Sequence, residues 1–247
     1  MRHHVLVSAH RCGAGRERAL ENTQRAVDRA LDIDAEYVEF DVQRCGDGTL
    51  VLNHDDSVKI DGQRVRLDQL TYAQAKTADG DPLLRYDCVL QKLQSRKRAH
   101  IDLKFTSPAN LYAHPESTYE VGAVRAAIAA LGVENVIVTS MEDRSVKAVR
   151  QWAASNGYPH LLVGLSLGSE FFPKSRYREC GANLVVANHR LARLSAARFA
   201  RRANLPLLVW TVDDRLSLRY WLKPGRAWML TTNHPLTALD MRAAKAG

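Results

Sequence analysis

Short apolar runs alternate with longer amphipathic stretches along most of this chain. The runs fall at 4–9, 37–42, 99–105, 136–140, 160–166, 183–187, 206–212 and 227–231. The amphipathic stretches are Glu21–Ile33, Thr118–Leu131, Glu142–Asn156, Leu191–Asn204 and Arg215–Leu222. A run this short reads as a strand, and apolar residues recurring at three- and four-residue intervals read as one buried helix face. Strands alternating with helices predict parallel βαβ units. Eight such runs favour a closed TIM-type (β/α)8 barrel over an open doubly wound sheet. The length of 247 residues suits one domain over 1–247, since a barrel of this kind typically takes about 250 residues.

The alternation breaks once. Thr49–His54 is a further strand-like piece, preceded by the turn signal Gly46-Asp47-Gly48, so 37–54 predicts a hairpin. The polar segment that follows, 55–87, reads as an excursion from the barrel mouth, where insertions are tolerated. The fold expected is therefore an α/β barrel with a small insertion after the second strand.

Composition narrows the class. Hydrophobic residues at 46% and charged residues at 25% describe a globular chain. No run approaches the roughly 18 apolar residues of a membrane span, and the run at 4–9 is too short for a signal-peptide core. The expectation is a cytoplasmic protein without stable membrane association. Cys12, Cys45, Cys88 and Cys180 are widely spaced with no CxxC pair, which reads as four free thiols. The net charge of +8 raises nucleic acid as a partner. The basic residues are scattered, however, and the one cluster, Ser95-Arg96-Lys97-Arg98, suits a solvated helix end. A positive field instead steers a small phosphorylated substrate toward the protein.

Four constellations carry chemistry. In Tyr37-Val38-Glu39-Phe40-Asp41-Val42, alternation puts Glu39 and Asp41 on one strand face and the apolar residues on the other. In a barrel the apolar face packs under the helices and the acidic face points inward. Two neighbouring buried carboxylates cost several kcal/mol unless a cation compensates them. A salt bridge to Arg or Lys is one compensation; a hard divalent cation with oxygen ligands is the better account. In His100-Ile101-Asp102-Leu103-Lys104-Phe105 the same alternation turns Asp102 and Lys104 inward. Asp102 would complete a three-carboxylate site. The pairs Ala9-His10-Arg11 and Asn53-His54-Asp55 each end a predicted strand, where barrel enzymes place their chemistry. Phosphodiester hydrolysis needs one group to deprotonate the attacking oxygen and another to protonate the leaving alcohol, and histidine suits both near neutral pH.

The set His10-Arg11, Glu21-Asn22-Thr23, Glu39-x-Asp41, His54-Asp55 and Asp102-x-Lys104, with His54 thirteen residues after Asp41, resembles the glycerophosphodiester phosphodiesterase family. Val209-Trp210-Thr211-Val212 resembles that family's late Trp-Thr-Val strand. The resemblance implies hydrolysis of a small phosphodiester to glycerol 3-phosphate and an alcohol. It makes Glu39, Asp41 and Asp102 ligands of one Mg²⁺ or Ca²⁺ and His10 and His54 the acid–base pair. Arg11 and Lys104 would bind phosphate oxygens, and Trp210, on an otherwise apolar strand, would either pack in the core or stack on substrate. The family's reaction runs by attack of the glycerol 2-hydroxyl on phosphorus and a cyclic phosphate that water opens.

Three departures bear on the substrate. Cys12 stands where the family usually has Gly, Asp102 where it usually has Glu, and Leu84-Arg85-Tyr86-Asp87 lacks its Pro-Thr-Leu. The Asp-x-Lys form resembles the related sphingomyelinase D and phospholipase D enzymes. An enzyme of that kind acting on lysophospholipid would need an exposed apolar rim, which the 55–87 segment offers little of. A phosphatidylinositol-specific phospholipase C would pair two histidines but leave the carboxylates idle. A non-catalytic barrel binding phosphorylated metabolites is the alternative of another class. Asn22 and Thr23 read as helix caps. Glu21 either reaches the site or complements the helix dipole. His3, His4, His114, His160, His189 and His234 read as structural or exposed.

Overall fold

The structure, a computed structural model, describes residues 4–15, 17–168 and 174–244. The chain begins with β1 (Leu6–Ala9), α1 (Gln24–Asp32) and β2 (Tyr37–Arg44). Three short strands follow, β3 (Leu50–Leu52), β4 (Ser57–Ile60) and β5 (Gln63–Arg66), and then α2 (Tyr86–Leu93). Regular alternation resumes with β6 (Arg98–Leu103), α3 (Tyr119–Leu131), β7 (Val136–Ser140), α4 (Asp143–Ser155), β8 (Leu162–Leu167) and α5 (Lys174–Cys180). After β9 (Leu184–Asn188), α6 (His189–Leu191) continues through a π-helical segment, Ala192–Ala196, into α7 (Ala197–Ala203). The chain finishes with β10 (Leu207–Trp210), α8 (Arg215–Trp221), β11 (Met229–Thr232) and α9 (Pro235–Ala243).

Eight of these strands are parallel and ordered β1-β2-β6-β7-β8-β9-β10-β11, and β11 pairs back onto β1. The ring is closed, as the eight apolar runs predict. Alternation sorts the side chains. Val38, Phe40, Val42, Ile101 and Leu103 pack outward with Val27, Val89, Val124 and Val149 of the surrounding helices. Tyr37, Ile137, Leu184, Leu208 and Met229, from the first or second residue of their strands, form an apolar plug inside the barrel. The next inward layer is polar, with Glu39 opposite His100, and the layer above it sets Asp41 beside Asp102 and Asp102 beside Thr139.

The hairpin expected over 37–54 is present, with β3 antiparallel to β2. The segment beyond it is more ordered than its polarity suggests. Strands β4 and β5 pair, and Val58, Leu67, Leu70, Ala75 and Leu83 cover Cys45 and Val51 in a core of their own. Helices α2, α5 and α9 were not among the amphipathic stretches. Each is short, and α5 buries only Tyr177 and Cys180, too few residues to set a period. The four cysteines are free thiols. Among the described residues no helix is long and apolar enough to cross a membrane.

Candidate active site

The chain leaves β1 by a tight left-handed turn, with φ of 46° at Arg11, 62° at Cys12 and 69° at Gly13. That conformation favours glycine, which accounts for a family Gly at the position of Cys12. The turn points the Arg11 backbone N–H back into the barrel, where it donates to Glu39 Oε2 at 2.6 Å. Arg11 then reaches two carboxylates, Glu21 Oε2 at 2.5 Å and Asp41 Oδ2 at 3.3 Å.

Glu39, Asp41 and Asp102 converge, each offering an oxygen within 4.8 Å of the others. Asp41 is held from three sides: Lys104 Nζ lies at 3.2 Å, Arg11 at 3.3 Å, and Asn22 donates from Nδ2 at 2.9 Å. Asn22 also accepts the Asp41 backbone N–H through Oδ1 at 3.2 Å. The helix-cap role read for Asn22 is thus corrected. With φ of 59° its side chain turns away from α1 and clamps Asp41. Thr23 is the cap, accepting from Ala26 N–H at 3.3 Å. Glu21 turns toward the site. Asp102 accepts from Thr139 Oγ1 at 2.7 Å on one oxygen and pairs with Lys104 Nζ at 2.6 Å on the other.

The cluster holds fewer positive charges than carboxylates. Three carboxylates face two cations, Arg11 and Lys104, and Arg11 is shared with Glu21. Burial, then the neighbouring charges of Asp41 and Asp102, push the Glu39 carboxyl well above the usual range. Burial also opposes ionisation of Asp41, but Lys104 and Arg11 outweigh it and leave this carboxyl low. Glu39, only 3% exposed, is therefore the group left without a counter-charge. A site built from oxygen donors with a missing positive charge fits a hard divalent cation.

Above the cluster lies a cleft of about 1460 Å³, bounded on one side by the segment that carries β4 and β5. His10 and His54 both line it. His10 Nδ1 lies 2.8 Å from Asn233 Oδ1, and Asn233 Nδ2 donates to Asp213 Oδ2 at 2.8 Å. That second bond fixes which way the amide faces, so its oxygen meets His10 and the imidazole carries its proton on Nδ1. Nε2 keeps its lone pair and lies 4.0 Å from Glu39 Oε2. Burial holds His10 below the usual imidazole range. His54 is more open, with Nδ1 2.8 Å from Asp55 Oδ1.

The remaining residues fall as follows. Lys104 spans Asp41 and Asp102. Trp210 is partly buried against the interior plug, and its Nε1 has no partner among the described residues. His189 is buried, and His234 lines the cleft. His4 pairs with Glu36 at 3.2 Å, His114 and His160 are exposed, and His3 lies outside the described residues. Sequence reasoning passed over Asp213, Asn233, His100 and Thr139. The first two follow the ends of β10 and β11, the signal that marked His10, but neither stands in a motif that sets it apart from an ordinary helix-entry loop.

The profile of the glycerophosphoryl diester phosphodiesterase family matches residues 10–237. Solved structures with the same fold include a glycerophosphodiester phosphodiesterase from Parabacteroides distasonis, at TM-score 0.80 and 19% identity over 100% of both chains. Another, from Thermotoga maritima, aligns at TM-score 0.74 and 19% identity over 98% of this chain and 100% of that one. A phosphodiesterase from Oleispira antarctica, solved in complex with the product sn-glycerol-3-phosphate, aligns at TM-score 0.75 and 16% identity over 96% of each chain. No curated protein matches the sequence.

Proposed function

The chain belongs to the glycerophosphoryl diester phosphodiesterase family and is an enzyme of that class, and from that premise we propose a metal-dependent hydrolysis of glycerophosphodiesters by His10 and His54. The observation that carries this reading is the convergence of Glu39, Asp41 and Asp102 within 4.8 Å at the end of the barrel that carries both histidines. The three carboxylates would hold one Mg²⁺ or Ca²⁺. When bound, that cation supplies the missing positive charge and polarises a phosphoryl oxygen as a Lewis acid.

The chain's own residues do the rest. His10 Nε2, unprotonated and aimed at the site, takes the proton of the glycerol 2-hydroxyl as its oxygen bonds to phosphorus. The bond from phosphorus to the leaving alcohol breaks, and protonated His54, beside Asp55, gives the alcohol its proton. Water then adds to the cyclic phosphate and opens the ring to glycerol 3-phosphate, with the two histidines exchanging roles. Arg11 and Lys104 offset the negative charge on the transferring phosphoryl group.

A second reading, a phospholipase D-type enzyme acting on lysophospholipid, is favoured by one observation. The exposed large apolar residues Met141, Leu194, Leu216 and Leu236 all follow the C-terminal ends of barrel strands, namely β7, β9, β10 and β11. Exposed apolar side chains after strand ends are what an enzyme meeting a lipid would need.

Assay of glycerophosphocholine, glycerophosphoethanolamine and lysophosphatidylcholine separates the two readings. Glycerol 3-phosphate from the first two supports the leading one. Choline released from the lysolipid alone moves the enzyme to the second. His10→Ala and His54→Ala should each lower kcat by about 10²–10⁴-fold; a variant that keeps full activity removes that histidine from the mechanism.

A further inference from the structure

Alongside the carboxylates, a file of hydrogen-bonded side chains crosses the barrel interior. Ser8 Oγ on β1 lies 3.2 Å from His100 Nδ1 on β6, and His100 Nε2 lies 3.2 Å from Thr139 Oγ1 on β7. Thr139 Oγ1 in turn lies 2.7 Å from Asp102 Oδ1. Ser8, His100 and Thr139 are buried, at 0%, 3% and 2% exposure.

The direction of the two bonds nearest Asp102 follows from that last member. Asp102, paired with Lys104, is a carboxylate and only accepts. Thr139 must spend its single proton on it. The Thr139 oxygen therefore accepts, and His100 donates to it from Nε2–H. Ser8 Oγ meets Nδ1 on the other side, so the ring is bonded at both nitrogens. None of the three residues lines the substrate cleft.

We infer that Ser8, His100 and Thr139 are positioning residues that set the orientation of Asp102 for the divalent cation. An aspartate has one methylene fewer than glutamate with which to seek its ligand geometry, so its carboxylate must be aimed by what surrounds it. Thr139 pins Oδ1 from the neighbouring strand, and the ring of His100, wedged between Ser8 and Thr139, keeps the threonine rotamer from turning away. Groups behind a ligand commonly contribute 10–100-fold to metal affinity in this manner. The inference rests on the metal-binding reading of Glu39, Asp41 and Asp102.

The test is Mn²⁺ binding to the full chain, read from the electron paramagnetic resonance signal of the free ion, with no substrate present. Thr139→Val keeps the side-chain shape and removes the donor; it should raise the Mn²⁺ Kd about tenfold or more, while Thr139→Ser stays within about threefold of the parent. Ser8→Ala, at the far end of the file, should weaken binding by a smaller factor than Thr139→Val. Thermal melts in EDTA establish that each variant is folded. Folded Thr139→Val with the parent's Kd overturns the inference and leaves the metal reading intact. Thr139→Ser falling as far as Thr139→Val also overturns it, because then packing of the methyl group decides the affinity. No Mn²⁺ binding by the parent chain overturns the metal reading, and the inference with it.

Discussion

His10 and Asn233, 223 residues apart in sequence, meet with Nδ1 and Oδ1 2.8 Å apart. The contact exists because β1 and β11 are neighbours in the closed barrel, pairing Ala9 with Thr232. Each residue is the one that follows its strand. Asp213 holds the Asn233 backbone N–H at 2.9 Å and its amide at 2.8 Å, so neither the loop nor the amide is free to turn. Barrel closure thereby sets the tautomer of the imidazole.

Replacing Asn233 with Leu keeps the branching at Cγ and removes the acceptor, together with the amide donor to Asp213. Nδ1–H then loses its partner, and the ring populates the wrong tautomer and rotamer. The expected outcome is a fall in kcat of about 10–100-fold, with KM for glycerophosphocholine little changed. Steady-state kinetics check it, and an unchanged kcat would show that His10 needs no such anchor.

Glu39 makes a statement about stability. Its carboxyl is raised in the folded chain above the ordinary value of 4.5, burial being the main cause. A raised carboxyl contributes stability below its unfolded pKa and loses it as pH rises through the folded pKa. In EDTA, wild-type protein should therefore lose Tm relative to Glu39→Gln as pH rises from about 5. Asp41 does not blur the comparison. Its carboxyl is lowered, so its contribution is complete above about 3.8 and is lost only on acidification. Melts of both proteins across pH 5–8 test this. Saturating divalent cation should reverse the order, since the wild type alone has the third carboxylate.

Lys104 sits 3.2 Å from Asp41 and 2.6 Å from Asp102. It competes with a cation for these carboxylates and also offers charge to phosphate. The two roles predict opposite effects in Lys104→Met. Mn²⁺ should bind about tenfold more tightly as a competing charge is removed, whereas kcat should fall about 10²-fold or more. Weaker Mn²⁺ binding would mean that Lys104 chiefly holds Asp102 in place.

Much of this was legible in the residues. Eight apolar runs and the alternation in Glu39-Phe40-Asp41 gave the barrel and the acidic face, because strand period and burial are local properties. The clamp of Asn22 on Asp41 was hidden by backbone geometry: a left-handed φ swings the side chain off the helix it precedes. Asp213 and Asn233 were hidden by distance, since their value depends on which strands close the ring. His100 stood in a motif already noticed, yet its partners Ser8 and Thr139 lie on two other strands. The core of the 55–87 segment was masked by charged residues placed between Val58, Ile60, Val65 and Leu67.

The central claim is that three clustered carboxylates, Glu39, Asp41 and Asp102, hold a cation on which hydrolysis depends. The most direct measurement is the release of glycerol 3-phosphate from glycerophosphocholine by enzyme stripped with EDTA, before and after Mg²⁺ or Ca²⁺ is restored. The account predicts that stripping abolishes release and that one of the two ions restores it. Release at the full rate in EDTA would contradict it.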